Sequence, residues 1–200
     1  MMGATAGDNG ADANEFPAHQ VTLTNAFYLG RYEVTQAQWQ AAMGSNPSHF
    51  QGYSDSPSCP VEQVSWDTIQ SFNGATGLRF PTEAEWEFAC RAGTTASNYG
   101  GDTAWYWTGE YLRPHPGGLK EPNALGFYDT LGNIAEWTID GFYAYSAGSV
   151  TNPVGPNAFR HPVRGGYWSG GGILSRTSAR LSRDADYTFD GYGFRAARNP

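Results

Sequence analysis

The sequence predicts a single α+β domain spanning residues 1–200, in which two or three peripheral helices flank a small, irregular antiparallel sheet. Three observations carry this. Helical periodicity is confined to short stretches of the first half, and from Ala104 onward it gives way to aromatic segments separated by Gly, Pro and Asn. The 26 Gly and 12 Pro interrupt a chain that is 15% aromatic, so a sizeable core must be wrapped in many turns. And 200 residues suit one core, since cores stop growing at roughly 250 residues.

Residues 16–34 alternate apolar and polar side chains around "HQVTLTNAFYLGRYEVT", the period of half-buried strands. The period then changes. Thr35 and Gln38 have capping-box spacing, which satisfies orphan amides at a helix start, and predict a helix over residues 35–43 closed by Gly44. "SWDTIQSF", residues 65–72, reads as a second short helix. "PTEAEWEFACRAG" reads as a third: Thr82 and Glu85 repeat the box, acidic residues crowd the positive end, Arg91 sits in the last turn and Gly93 stops it. Beyond these, "AWYWTGEY", "LGFYDTLGNIAEW", "FRHPVRGGYW" and "YGFRAAR" suit short strands tied by long loops.

Composition removes several functions. A net charge of -7 and the lack of any Lys/Arg cluster argue against nucleic acid, whose binders need basic stripes. No run approaches the roughly 20 apolar residues of a membrane span. The opening "MMGATAGDNG" has neither the charged nor the apolar region of a signal peptide, which leaves the compartment open; the cell surface or export is favoured. His19, His49, His115 and His161 are too scattered for a zinc site, and no G-x-S-x-G elbow supports a hydrolase. Cys59 and Cys90 are either one disulfide or two free buried thiols, the latter preferred.

In "YDTLGNIAEW", Asp129 and Glu136 bracket a turn at Gly132-Asn133. Two readings stand. The carboxylates, with backbone carbonyls between them, could build the shell of roughly six to eight oxygens that Ca²⁺ takes. Alternatively, Asp129 and Asn133 cap backbone amides and Glu136 pairs with an arginine.

Together, "FYLGRYEVTQAQWQAAMGSNPS", "CPVEQVSW", "LRFPTEAEWEFACRAG", "GFYDTLGNIAEW", "VRGGYW" and "GFRAAR" resemble, in order and spacing, the formylglycine-generating enzyme (sulfatase-modifying factor) family, over nearly the whole chain. The resemblance implies an elaborated C-type-lectin-type fold. It implies one Ca²⁺ held by Asp129, the carbonyls of Gly132 and Ile134, and Glu136; the family's second calcium site has no counterpart near Trp105. It also implies no copper, because the family's two copper-binding cysteines are replaced by Gly170 and Ser175, neither of which supplies the thiolate that holds Cu(I). The family's disulfide partner of Cys90 is replaced by Ser178.

The stretch "RGGYWSGGGILSRTSARLSRDADYTFDGYGFRAAR" also resembles the ligand-facing segment of variable proteins diversified by retroelements. Its framework would be Arg164, Gly165, Gly166, Trp168, Arg176, Arg180, Gly193, Phe194 and Arg195. Between them lie Tyr167, Ser169, Gly170, Ile173, Leu174, Leu181, Asp184, Tyr187, Phe189, Asp190 and Tyr192, and Trp168 is counted with this face too. Tyrosine supplies rigid contact area and small polar residues adapt, as in antibody paratopes. The expectation is a monomeric, non-catalytic, calcium-stabilised protein with no catalytic residues, whose residues 164–195 bind a protein or other macromolecule. The alternatives are a related oxidoreductase using a non-cysteine site, or an accessory domain of a larger protein.

Overall fold

The computed structural model describes residues 1–98, 103–106 and 112–200. Three helices, α1 (Gln36–Met43), α2 (Trp66–Thr76) and α3 (Glu83–Arg91), lie in the first half. Among the described residues the strands are β1 (Val21–Thr22), β2 (Tyr28–Leu29), β3 (Ala104–Trp105), β4 (Leu131–Gly132), β5 (Ala135–Trp137), β6 (Val150–Thr151), β7 (Arg160–Arg164), β8 (Arg180–Asp184), β9 (Tyr192–Gly193) and β10 (Ala197–Arg198). No helix among these residues is long and apolar enough to cross a membrane.

The helix starts follow the sequence. Thr35 accepts from the Gln38 amide while the Gln38 side chain returns to the Thr35 amide, and Thr82 and Glu85 do the same for α3. The ends shift. Helix α2 runs a turn beyond residues 65–72, carrying Gly74 inside it and stopping at left-handed Gly77, because burial of Ile69 and Phe72 outweighs the roughly 1 kcal/mol that an internal glycine costs. Helix α3 ends on Ala92, itself left-handed at φ 48°, one residue before Gly93.

Strand pairing corrects the expected antiparallel sheet. The main sheet has the order β8-β7-β5-β9, antiparallel except that β5 and β9 run parallel; β1–β6 and β3–β4 are further parallel pairs, and β2–β10 is antiparallel. In the main sheet the chain leaves β8, passes over β7 and β5 and returns on the far side of β5 running in the same direction as β5, so that β9 adds as a parallel edge strand. Of the 104–111 segment, β3 is seen, and residues 107–111 lie outside the described residues.

Helices α1 and α2 pack on this sheet through Trp39, Ile69, Phe72, Phe80, Trp137, Val163 and Phe194. Trp39 and Phe72 stack at 5.3 Å, and the edge of Phe194 meets both. Each such ring removes on the order of 150–250 Å² from water.

The other helix, α3, is held by charge. Glu83 and Glu87 stand four residues apart and so share one face. Arg180 forks onto Glu83 at 2.8 and 2.6 Å; Arg164 donates to Glu87 and lies 3.5 Å from Glu83; Arg91 donates to Glu87 at 2.8 Å. The Gly3 amide also reaches Glu87, at 2.8 Å. Elsewhere Arg176 forks onto Glu15 and Arg195 onto Glu136, every one of these groups being buried.

Removing one partner of a buried pair strands the other charge, which costs about 3–5 kcal/mol, whereas an N-cap is worth about 1 kcal/mol. In urea denaturation Glu87→Gln is expected to lose about 3–5 kcal/mol and Thr82→Ala about 1 kcal/mol. Equal losses would deny α3 its charged anchorage.

Candidate functional site

The 129–136 loop is a chain of left-handed residues, with Asp129, Gly132 and Asn133 at φ 54°, 86° and 61°. Only glycine fits at 132, where a Cβ would stand 2.1 Å from the Trp105 carbonyl oxygen. The local contacts match the second of the two readings of the sequence. Asp129 Oδ2 accepts from the Gly118 amide at 2.8 Å, Asn133 Oδ1 accepts from the His115 amide at 2.9 Å, and Glu136 takes a fork from Arg195 at 2.6 Å on each oxygen. Trp86 Nε1 adds a further bond to Glu136 at 2.7 Å.

The calcium donor set fits at one end and is shared at the other. Asp129 Oδ1 is buried and has no hydrogen-bond partner among the described residues, so it could serve a hard cation; Glu136 would have to share its oxygens with Arg195. Among the described residues no group of three His, Cys, Asp or Glu side chains has a metal-holding arrangement, so backbone carbonyls of Gly132 and Ile134 would have to complete the shell. Glu33 is the residue that sequence reasoning missed. It accepts from Asn133 Nδ2 at 3.0 Å, and burial, followed by the charges of Asp129 and Glu136, pushes its carboxyl well above the usual range. Its partner lies 100 positions away, and no local pattern announces it.

The positions of the two replaced cysteines carry no thiol. Gly170 closes a turn on the Tyr167 carbonyl at 2.8 Å. Ser175 is buried, with its hydroxyl lacking a hydrogen-bond partner among the described residues. The two cysteines that exist are both buried, and no disulfide joins them. Cys59 Sγ lies 3.7 Å from both the Pro114 carbonyl and Arg113 Nη1, and burial pushes its thiol up to about 11. Cys90 packs with Trp86 and Leu131.

In residues 164–195 the framework arginines Arg164, Arg176, Arg180 and Arg195 are the four buried ones paired above. Between them the structure brings several rings together. Tyr167 meets Phe189 at 5.3 Å and Tyr192 at 5.7 Å, and Tyr187 meets Tyr192 at 5.9 Å. Tyr187 is 42% exposed and Ile173 55%, and Asp184 is exposed beside Arg160 at 3.2 Å. Tyr167, Trp168, Ser169, Leu174, Leu181, Phe189 and Asp190 are half-buried. Two expected contact residues are corrected. Tyr192, only 1% exposed, is a core ring on β9 against Trp137, and burial raises its hydroxyl to about 12; Gly170 is buried in its turn. Trp168 stands apart from the ring cluster, edge-on to Phe50 at 5.3 Å, with its indole N–H on the Asp190 carbonyl at 3.2 Å.

A family model described as a sulfatase-modifying factor enzyme 1-like domain matches residues 2–200. The chaperone protein LppX of Paenibacillus barcinonensis is 30% identical over 236 residues, covering 86% of this chain and 78% of its own length. The formylglycine-generating enzyme of Bos taurus is 30% identical over 191 residues, covering 80% of this chain but 50% of the enzyme, so the chain spans half of that relative. Among solved structures, the Treponema denticola variable protein 1 superposes with a TM-score of 0.89 at 27% identity, over 100% of this chain and 91% of its own.

Because the thiolate is the reacting form of cysteine, iodoacetamide at pH 8.5 is expected to leave Cys59 unmodified in the folded protein and to label it in urea. Labelling of the native protein within minutes, read by mass spectrometry, would contradict the buried placement.

Proposed function

We propose that this chain, which belongs to the formylglycine-generating enzyme (sulfatase-modifying factor) family and has its elaborated C-type-lectin-type fold, is a non-catalytic binding protein whose working surface is residues 164–195. The observation that carries the reading is a division of labour inside that segment. Its framework arginines Arg164, Arg176, Arg180 and Arg195 are buried and paired to carboxylates outside it, while most of the candidate contact side chains between them reach solvent as a mixed aromatic and polar face. A rigid frame with rings presented between its fixed points suits recognition of a macromolecule, since aromatic anchors lose little entropy on binding.

The family's copper chemistry needs thiolates where Gly170 and Ser175 stand, and that supports the non-catalytic half of the reading. Similarity to a solved variable protein supports a protein ligand and a segment open to diversification. Calcium belongs to the same proposal: Asp129, Glu136 and the carbonyls of Gly132 and Ile134 would hold it, and it would supply positive charge to a loop in which burial raises the proton affinity of Asp129 and Glu33.

The test is a displayed library of peptides and small domains selected on the immobilised protein. Tyr187→Ala is expected to weaken the recovered binders about tenfold or more, with the melting temperature nearly unchanged. Tyr192→Ala is expected to cost about 3–5 kcal/mol of stability, as a core ring does. Competition with a Cu(I) chelator should show no retained copper; retention would revive an enzyme. Chelation of calcium should lower the melting temperature of the parent protein and leave that of Asp129→Ala unchanged. A melting curve indifferent to chelator would leave the loop as a hydrogen-bonded turn.

A further inference from the structure

A cavity of about 680 Å³ opens between α3, the first five residues and the segment from β1 to β2, and none of its described walls belongs to residues 164–195. Small-molecule sites run to roughly 300–1,000 Å³ and are mostly apolar, with a few polar groups that fix orientation. Here Leu23, Leu29, Ala84 and Phe127 give an apolar lining, and Phe88, 56% exposed, carries it out to solvent. The walls are held in place. Met2 exchanges two backbone hydrogen bonds with His19 at 2.9 Å each and packs in one cluster with Ala84, Val21 and Leu23.

One charged group in the lining keeps a donor in reserve. Arg91 borders the cavity with its side chain 9% exposed. Its Nε donates to Glu87 and its Nη2 to the Gly3 carbonyl, each at 2.8 Å, while Nη1 has no hydrogen-bond partner among the described residues and is not closed off from solvent. Glu87, in the same lining, has both oxygens filled: Oε1 accepts from Arg91 and from the Gly3 amide, and Oε2 from Arg164. The carbonyls of the last turn of α3, whose partial negative charge would repel an anion, are occupied as well. The Ala92 and Thr94 amides take those of Phe88 and Arg91, and Asn123 Nδ2 reaches those of Ala89 and Cys90. The sign of the site follows. Three guanidinium groups, Arg91, Arg164 and Arg180, share Glu83 and Glu87, and Asp140, the next acid, is taken up by the Glu83 and Gly155 amides at 2.6 Å each.

An apolar body in this cavity leaves water, and a carboxylate on Arg91 Nη1 gains a charge-assisted hydrogen bond in a partly desolvated setting. We propose that the cavity is a separate binding site for a small amphipathic carboxylate of the medium-chain fatty-acid kind, its head group on Arg91 and its chain against Leu23, Leu29, Ala84 and Phe127. Thr94 and Thr95 line the cavity too, and a hydroxyl donor suits the second carboxylate oxygen. The site stands whether or not residues 164–195 bind a macromolecule. The net charge of -7 slows an anion's approach, but exposed charges are screened beyond about 10 Å in ordinary buffer.

The probes are octanoate, 1-octanol and octylammonium, titrated below micelle formation into the intact protein while the Met2 methyl and Phe88 ring resonances are followed. Saturable shifts are expected with octanoate, and binding at least about tenfold weaker with octanol, the effect of losing a charged hydrogen bond, and weaker again with octylammonium. Phe88→Glu, an exposed change that sets a like charge in the lining, should weaken octanoate about tenfold and octanol less, while the equally exposed Leu119→Glu leaves both unchanged. Arg91→Gln should reduce octanoate to the affinity of octanol; if that variant does not fold, Phe88→Glu decides. Octanol or octylammonium binding as tightly as octanoate overturns the inference, as does full octanoate binding by Phe88→Glu or by a folded Arg91→Gln. No saturable shift at Met2 and Phe88 overturns it outright.

Discussion

The structure depends on charge buried on one side of one short helix. Glu83 and Glu87 of α3 gather Arg180, Arg164 and Arg91 and the N-terminal Gly3 amide, and through them fix strands β7 and β8 and the start of the chain. Remove this cluster and α3 has little to dock with, because its packed partners around Trp86 and Cys90 form only a small apolar patch. Directional, forked ion pairs hold position more sharply than apolar contact does, at the expense of desolvating every charge. That trade makes sense for segments of irregular loop, which lack the long ladders that set register in ordinary sheets.

The same device explains the shape of the candidate site. Glu15, Glu87, Glu83 and Glu136 each receive one arginine from residues 164–195, so that stretch is pegged at four points to three separate parts of the chain. Between pegs the backbone is free to present Tyr187, Ile173 and Asp184 outward while Tyr192 turns inward beneath the rings of Tyr167 and Phe189. Glu33, Glu62 and Asp140 stand outside this pattern, as buried acids held by amide donors and not by an arginine.

How much of this was legible in the sequence follows from how local each signal is. Capping boxes act over three residues, so Thr35, Gln38, Thr82 and Glu85 located two helix starts correctly. Strand order was not legible, because the parallel pairing of β5 with β9 joins residues more than fifty positions apart through strands of three and two residues that carry no period. The loop at 129–136 was legible as a turn with carboxylates, yet Glu33, a hundred positions upstream, was not. Tyr192 was misplaced for a related reason. Its neighbours in a Tyr, Phe and Asp-rich stretch looked like a paratope, and only the pairing of β9 with β5 turns its ring inward. The arginines were the reverse case: their places were legible through family spacing, and their partners only through the fold.

Gly165 and Gly166 follow Arg164, both with positive φ, and side chains there would strike the Thr130 carbonyl at 2.9 Å and the Ser175 hydroxyl at 2.5 Å. Every glycine codon begins with two guanines. A process that rewrites adenines therefore cannot change either residue, whereas the tyrosine and aspartate codons beside them each carry adenine in the second position. The genetic code itself would then spare these two glycines and spend its changes on the exposed face, so that what folding forbids is also what such mutagenesis cannot reach.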